Sequence, residues 1–139
     1  MFADAGRLAR GSFIAMLETD APARRGLTAP PVVGRIDGKA ILSEIGDKQY
    51  VRLRDLSPRI GWTGTGQGYA IRTGLLEAEK VHNAPGQPYR ITKDEACTLL
   101  LAAMLALAAG VAIAVMLRGC KAAGLTGAAA ATAIAAVTS

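Results

Sequence analysis

The longest run of apolar positions lies in the last third of the chain. From Ala96 to Leu117 there are 22 consecutive residues without a charge, and Thr98 carries the only hydroxyl among them. As one helix this run would span ~33 Å, which matches the ~30 Å hydrocarbon core of a bilayer. The pattern therefore predicts a transmembrane helix over residues 91–118. The alternative is a buried, Ala-rich helix inside a large soluble assembly.

Polar residues at both ends of this run have the types expected of a membrane helix. Thr92 is a candidate N-cap, and the acidic Asp94 and Glu95 follow it in the first turn. Basic residues flank the run on each side, two before and two after, so the charges leave its orientation open. The predicted membrane-interface residues are Arg90, Lys93, Arg118 and Lys121.

Small residues recur within the run at spacings of three and four. This resembles the pattern by which membrane helices approach one another closely, although abundant alanine alone would also produce it. The predicted helix-packing face is Ala103, Ala106, Gly110 and Ala114. Residues 119–139 form an Ala/Gly-rich tail, predicted to be helical and to pack against protein, with a second membrane helix as the open alternative.

The middle of the chain, residues 32–90, alternates apolar and polar positions as half-buried strands do. Val32–Ile36 and Lys39–Ile45 flank Asp37-Gly38, a two-residue hairpin signal. Further strands are expected at Lys48–Arg54 and Gly68–Arg72, with one short helical turn between them. The predicted core of this domain is Val51, Leu53, Leu56, Trp62, Tyr69 and Ile71.

The expected fold class is therefore α+β. A small antiparallel β-meander domain with a short helix would be followed by the transmembrane helix and the helical tail. Residues 1–31 precede this domain and are interpreted as an N-terminal arm and linker, since residues 20–31 hold three prolines and a pair of arginines. The first 20 residues have no uninterrupted apolar stretch of the kind a secretory signal needs.

Part of this middle region resembles a known family. Asp37-Gly38-Lys39, then Tyr50–Leu56, Ile60-Gly61-Trp62 and Tyr69–Arg72 look like the copper amine oxidase N-terminal (stalk-like) domain, over residues 32–73 only. The resemblance implies a strand–strand–helix–strand unit that binds no copper and serves as a non-catalytic module. The chain departs from the family pattern at Arg52, where proline is usual, and at Ser57-Pro58.

Charge changes this picture little. The net charge is +5, but the basic residues are scattered and acids are interspersed among them up to residue 95. Nucleic-acid binding usually requires a dense basic patch with stacking aromatic side chains, so no specific nucleic-acid partner is expected. The two cysteines, Cys97 and Cys120, would lie ~34 Å apart on one helix, too far to form a disulfide.

No set of residues indicates catalysis. The run Gly64–Gly68 lacks the lysine of a phosphate-binding loop and fails the dinucleotide pattern, which favours a flexible turn. His82 is the only histidine, and no nucleophile has a base near it in sequence. The sequence predicts no catalytic, cofactor-binding or metal-ligating residue and no cofactor, hence not an enzyme.

The leading functional hypothesis is a membrane-anchored structural or interaction subunit of a larger assembly, such as a membrane-containing virion or a bacterial envelope complex. Its partners would be the lipid bilayer and other protein subunits, with a homo-oligomer left open. The alternative is a pore-forming or lysis-type effector that inserts a C-terminal hairpin. A third hypothesis is a soluble nucleic-acid-binding protein with an Ala-rich oligomerisation helix.

Overall fold

The structure is a computed structural model that describes residues 33–81 and 88–138. Within these ranges the chain forms six helices and three short strands. In chain order they are α1 (Gly38–Ile45), β1 (Tyr50–Arg52), α2 (Leu53–Ile60), α3 (Gly64–Arg72), β2 (Glu79–Lys80), β3 (Tyr89–Thr92), α4 (Lys93–Ala109), α5 (Ile113–Ala122) and α6 (Ala128–Thr138). The expected β-meander fold is wrong, because helices predominate. The arm and linker over residues 1–31, together with His82, lie outside the described residues.

The first helix occupies the segment that was expected to be a hairpin and a strand. Asp37 caps α1, because its Oδ1 accepts a hydrogen bond of 3.1 Å from the backbone N–H of Ala40. Ile41 and Ile45 lie four residues apart and are both 3% exposed, so they face the core together. Asp37-Gly38 therefore begins a helix instead of forming a turn between strands.

The three strands form one small antiparallel sheet in the order β1-β3-β2. Strand β3 is central, with Val51 of β1 opposite Ile91 and Glu79 of β2 opposite Arg90. Of the strands expected at Lys48–Arg54 and Gly68–Arg72, the first is shortened to β1 and the second lies within α3. The connection between β2 and β3 closes with Val81 N–H donating to Pro88 O.

The 22-residue apolar run is divided between two helices. α4 ends at Ala109, and its C-cap Gly110 has a left-handed backbone with φ of 69° and donates its N–H to Ala106 O. The chain then turns back, and α5 packs along α4. No helix within residues 33–81 and 88–138 has both the length and the apolar character needed to cross a bilayer. The predicted transmembrane helix over 91–118, and the membrane-spanning localisation that followed from it, are therefore wrong.

The N-cap predicted at the start of the apolar run is confirmed. Thr92 is the N-cap of α4, since its Oγ1 accepts from the backbone N–H of Glu95 at 3.2 Å. The tail forms helix α6, which packs against α1 and α4. Ala130 and Ile134 of α6 are fully buried in that contact.

One hydrophobic core joins the six helices with strands β1 and β3. α4 lies at its centre and contacts α1, α2, α5, α6 and strands β1 and β3. The largest fully buried side chains come from both halves of the chain: Leu53, Ile60, Leu76, Ile91, Leu99, Leu100, Leu117 and Ile134. Most of the apolar residues of α4 are therefore buried by the rest of the described protein, whereas Leu105 is 38% exposed.

Candidate nucleic-acid interface

Helices α2 and α3 are joined by a turn of only three residues, 61–63. Such a helix–turn–helix unit, with a glycine in a three- or four-residue turn, is a common DNA-binding arrangement. α2 forms because Leu53, Leu56 and Ile60 recur at spacings of three and four and are all buried. The helix includes Pro58, and it is longer than the single short turn expected from the sequence.

The turn is held by several specific contacts. Gly61 takes a left-handed backbone with φ of 67°, which glycine adopts without strain. Trp62 is 8% exposed, and its backbone N–H donates to the backbone carbonyl of Ser57 at 3.0 Å. Gln67 Nε2 donates to Trp62 O at 3.2 Å, so α3 is tied back to the turn.

Helix α3 starts where the sequence suggested a flexible glycine loop. Thr63 is its N-cap, and Thr63 Oγ1 accepts from the backbone N–H of Gly66 at 3.2 Å. A Cβ on Gly66 would lie 2.6 Å from Trp62 Nε1, so glycine is required for the indole to pack there. The cap and the buried tryptophan together fix the direction in which α3 leaves the turn.

The two faces of α3 differ in burial. Gln67, Tyr69 and Ala70 are at most 9% exposed and anchor the helix to the protein. Thr65 and Arg72 are exposed and Gly68 is half-exposed between them, at spacings of three and four along the outer face. A β-hairpin, β2 and β3, follows α3 directly.

Two glycines of α3 are not required by the fold. A Cβ on Gly64 or Gly68 would meet nothing within 4 Å, and neither has a backbone conformation that favours glycine. Each glycine nevertheless costs a helix about 0.5–1 kcal/mol relative to alanine. The missing side chains leave the exposed face of α3 open to close approach by another molecule.

Basic side chains without ion pairs lie on α3 and on the hairpin. Among the described residues, Arg72 of α3 and Lys80 of β2 form no ion pair with any acid. Arg90 of β3 is partly neutralised, because its Nε donates to Glu79 Oε2 at 3.2 Å. The free cations are therefore available to an anionic partner.

The structure places most members of the predicted domain core in the interior. Leu53, Leu56, Trp62 and Tyr69 are at most 9% exposed, while Val51 and Ile71 are half-buried. These side chains support the helix–turn–helix unit instead of a β-meander. The signal that would have revealed the unit is the helical spacing of Leu53, Leu56 and Ile60 directly before Gly61.

The predicted packing face and interface residues lie in different surroundings. Ala103, Ala106 and Ala114 are buried between helices, whereas Gly110 is exposed at the turn after α4. The interface role presupposed a membrane span, and Lys121 Nζ instead donates to Glu95 Oε2 at 2.9 Å. The other three interface residues lie on β3, α4 and α5: Arg90, Lys93 and Arg118.

Groups suited to catalysis are not gathered at this site. Over residues 33–81 and 88–138, no three His, Cys, Asp or Glu side chains are placed to hold a metal ion. Cys97 and Cys120 are buried, and desolvation raises the pKa of both thiols, which keeps them protonated at neutral pH. What the site offers is an exposed helix face that carries one cation, Arg72.

Comparison of the chain with family models, with curated proteins and with solved structures found no match.

Proposed function

We propose that this protein binds double-stranded DNA in a sequence-dependent manner, with α3 as the recognition helix. The observation that carries the proposal is the three-residue turn that presents the outer face of α3. In helix–turn–helix proteins the second helix lies in the major groove, with its N-terminal residues at base edges. On α3 those positions are Gly64, Thr65 and Gly68.

The order of elements around the unit supports the same function. A helix and a strand precede α2 and α3, and a β-hairpin follows them, with sheet order β1-β3-β2. This is the connectivity of a winged helix–turn–helix, in which the hairpin lies beside the recognition helix. Lys80 on that hairpin and Arg72 on α3 supply positive charge for phosphates, and the chain carries a net charge of +5.

This proposal departs from the expectation of no specific nucleic-acid partner. That expectation relied on the scattered distribution of basic residues along the sequence. Scattered residues can still meet at one surface, and direct base readout depends on a few side chains on one helix, not on charge density. The third sequence-based hypothesis, nucleic-acid binding with an Ala-rich oligomerisation helix, is the one that agrees best with this site.

The proposal is tested by selecting duplexes from a randomised library with the full chain. The affinity of the selected duplex is then measured by fluorescence anisotropy for the Arg72→Gln variant. We expect about 5- to 30-fold weaker binding, since one arginine contact to a base or phosphate contributes roughly 1–2 kcal/mol. Arg59→Gln, the same change on the neighbouring helix α2, should alter affinity by no more than about twofold.

Either of two results would refute the DNA-binding role of α3. The selection could yield no enriched sequence, or Arg72→Gln and Arg59→Gln could bind the duplex as tightly as the original chain. Circular dichroism of both variants establishes that each is folded before the affinities are compared.

We also propose that the C-terminal helices make contacts with a second copy of the chain. Val115 and Val137 are 43% and 65% exposed, on helices α5 and α6, whose only charges are Arg118 and Lys121. A homodimer would present two recognition helices to two half-sites, as many helix–turn–helix proteins do. Sedimentation analysis should give a dimer that Val115→Lys and Val137→Lys dissociate; a monomer at all concentrations would contradict this.

A further inference from the structure

A groove of about 780 Å³ lies between α1, β1 and α2, away from the outer face of α3. This volume is within the range of about 300–1,000 Å³ that small-molecule sites occupy. The floor of the groove is aliphatic, and four side chains form it: Ile41, Ile45, Val51 and Leu56. An apolar group of a ligand could therefore be removed from water there.

The rim of the groove is charged and its two acids are already neutralised. Glu44 of α1 forms an ion pair with Arg59 of α2. Asp55 lies near Arg54, with 3.9 Å between Arg54 Nε and Asp55 Oδ1. Each carboxylate is therefore matched by one guanidinium group.

Two further cations on the rim have no such partner. Lys48 and Arg52 also line the groove, and neither forms an ion pair or a hydrogen bond with any described side chain. Arg52 is half-buried, whereas Lys48 is exposed. Counting all six charged side chains, the rim holds four cations against two anions.

We propose that this groove binds a small amphipathic organic anion. The aliphatic chain of the ligand would lie on the floor of the groove, and its carboxylate would lie between Lys48 and Arg52. Arginine suits this role because its planar guanidinium group can donate two parallel hydrogen bonds to a carboxylate. The charge of the rim selects an anion, and the aliphatic floor selects an apolar tail.

Octanoate is a suitable probe, because it combines a short aliphatic chain with one carboxylate. In a titration of the ¹⁵N-labelled full chain, saturable chemical-shift changes are expected at amides of residues 41–59. Octylammonium, with the same tail and the opposite charge, should give no saturable change at these amides. Lys48 and Arg52 should together contribute about tenfold to the affinity, as expected for two partly screened charge interactions.

The double variant Lys48→Gln/Arg52→Gln tests that contribution, with Lys80→Gln as the matched control outside the groove. Lys48 is exposed and Arg52 is half-buried, and neither forms an ion pair, so the fold is expected to persist, and the spectrum itself reports whether it does. The proposal is overturned if octanoate gives no saturable change up to about 10 mM, a weak-binding limit. It is also overturned if octylammonium binds equally well, or if the double variant binds octanoate as tightly as the Lys80→Gln control. None of these outcomes depends on DNA, so a failure here leaves the proposed function standing.

Discussion

Gly66 and Gly68 lie two positions apart in α3 and have opposite surroundings. A Cβ on Gly66 would lie 2.6 Å from the indole nitrogen of Trp62, whereas a Cβ on Gly68 would meet nothing within 4 Å. Gly66→Ala should therefore lower the free energy of unfolding by about 1–3 kcal/mol through overpacking. Gly68→Ala should raise it by about 0.5–1 kcal/mol, because alanine is the better helix former.

Urea unfolding followed by circular dichroism measures both changes under the same conditions. Opposite signs are expected for the two variants, although the substitution is identical. If both variants are destabilised to the same extent, Gly68 does not lie on the outer face of α3.

The thiols of Cys97 and Cys120 provide a pH-dependent prediction. Burial raises the pKa of each thiol above its ordinary value of 9.0, and at Cys97 the Asp94 carboxylate adds to that effect while Lys93 opposes it. Since the folded state favours the protonated thiols, their contribution to stability is complete below pH 9 and is lost as the pH rises through the raised values.

The free energy of unfolding should therefore fall as the pH rises above 9, and more steeply than in the Cys97→Ala/Cys120→Ala variant. Iodoacetamide should also label the native thiols much more slowly than those of the urea-unfolded chain. Rapid labelling of the folded chain at pH 8 would show that the two thiols are not buried.

Among the elements, helix α4 is held at its N-terminus by Glu95, a first-turn residue whose carboxylate bonds to two other segments of the chain. In a capping box, the glutamate at this position would bond back to the N-cap N–H. Glu95 Oε2 instead accepts from the backbone N–H of Glu77 at 3.0 Å and from Lys121 Nζ at 2.9 Å. It thus connects the segment after α3 to the end of α5.

Glu95→Ala should therefore destabilise the protein by about 1–3 kcal/mol, since it removes charge-assisted hydrogen bonds at a largely buried carboxylate. The matched change Glu44→Ala removes an exposed ion pair and should cost no more than about 1 kcal/mol. Thermal unfolding of the two variants compares them. A larger loss for Glu44→Ala would contradict the bridging role of Glu95.

The sequence predicts some elements well and others poorly, for identifiable reasons. The start of α4 at Thr92 follows from its cap and first-turn acids, which act locally. Ile41 and Ile45 fit a two-residue period as well as a helical one, so periodicity could not separate a strand from α1. α3 holds three glycines in nine residues, and its helix depends on the Thr63 cap and the packing of Trp62.

The apolar run after Thr92 predicts a membrane span, although the structure packs it against protein, and the reason is physical. Hydropathy counts apolar residues but does not show what covers them, and a buried helix hairpin can match a membrane span in composition. Gly110 ends α4 after 17 residues, and α5 and α6 pack against α4 and help to bury most of its apolar residues. The sequence does not reveal the candidate interface, because the glycines of α3 favour a loop and its helix depends on the Thr63 cap and the packing of Trp62.

At the scale of the whole molecule, a single core makes the two halves of the chain interdependent. Leu53 and Ile60 from the helix–turn–helix unit belong to the same buried cluster as Leu99 and Leu117 from the C-terminal helices. A chain ending at Asp94 would expose that cluster and should not fold. Its ¹H–¹⁵N spectrum is expected to be collapsed and poorly dispersed, and a dispersed, folded spectrum would contradict the single-core architecture.

The measurement that tests the central claim most directly is DNA binding by the full chain carrying Gly68→Leu. A Cβ at this position meets no protein atom within 4 Å, so the variant should fold as stably as the original chain. If the outer face of α3 enters the major groove, the added leucine side chain blocks close approach, and affinity for the selected duplex should fall at least about tenfold. If the folded variant keeps the original affinity, α3 is not the surface that reads DNA.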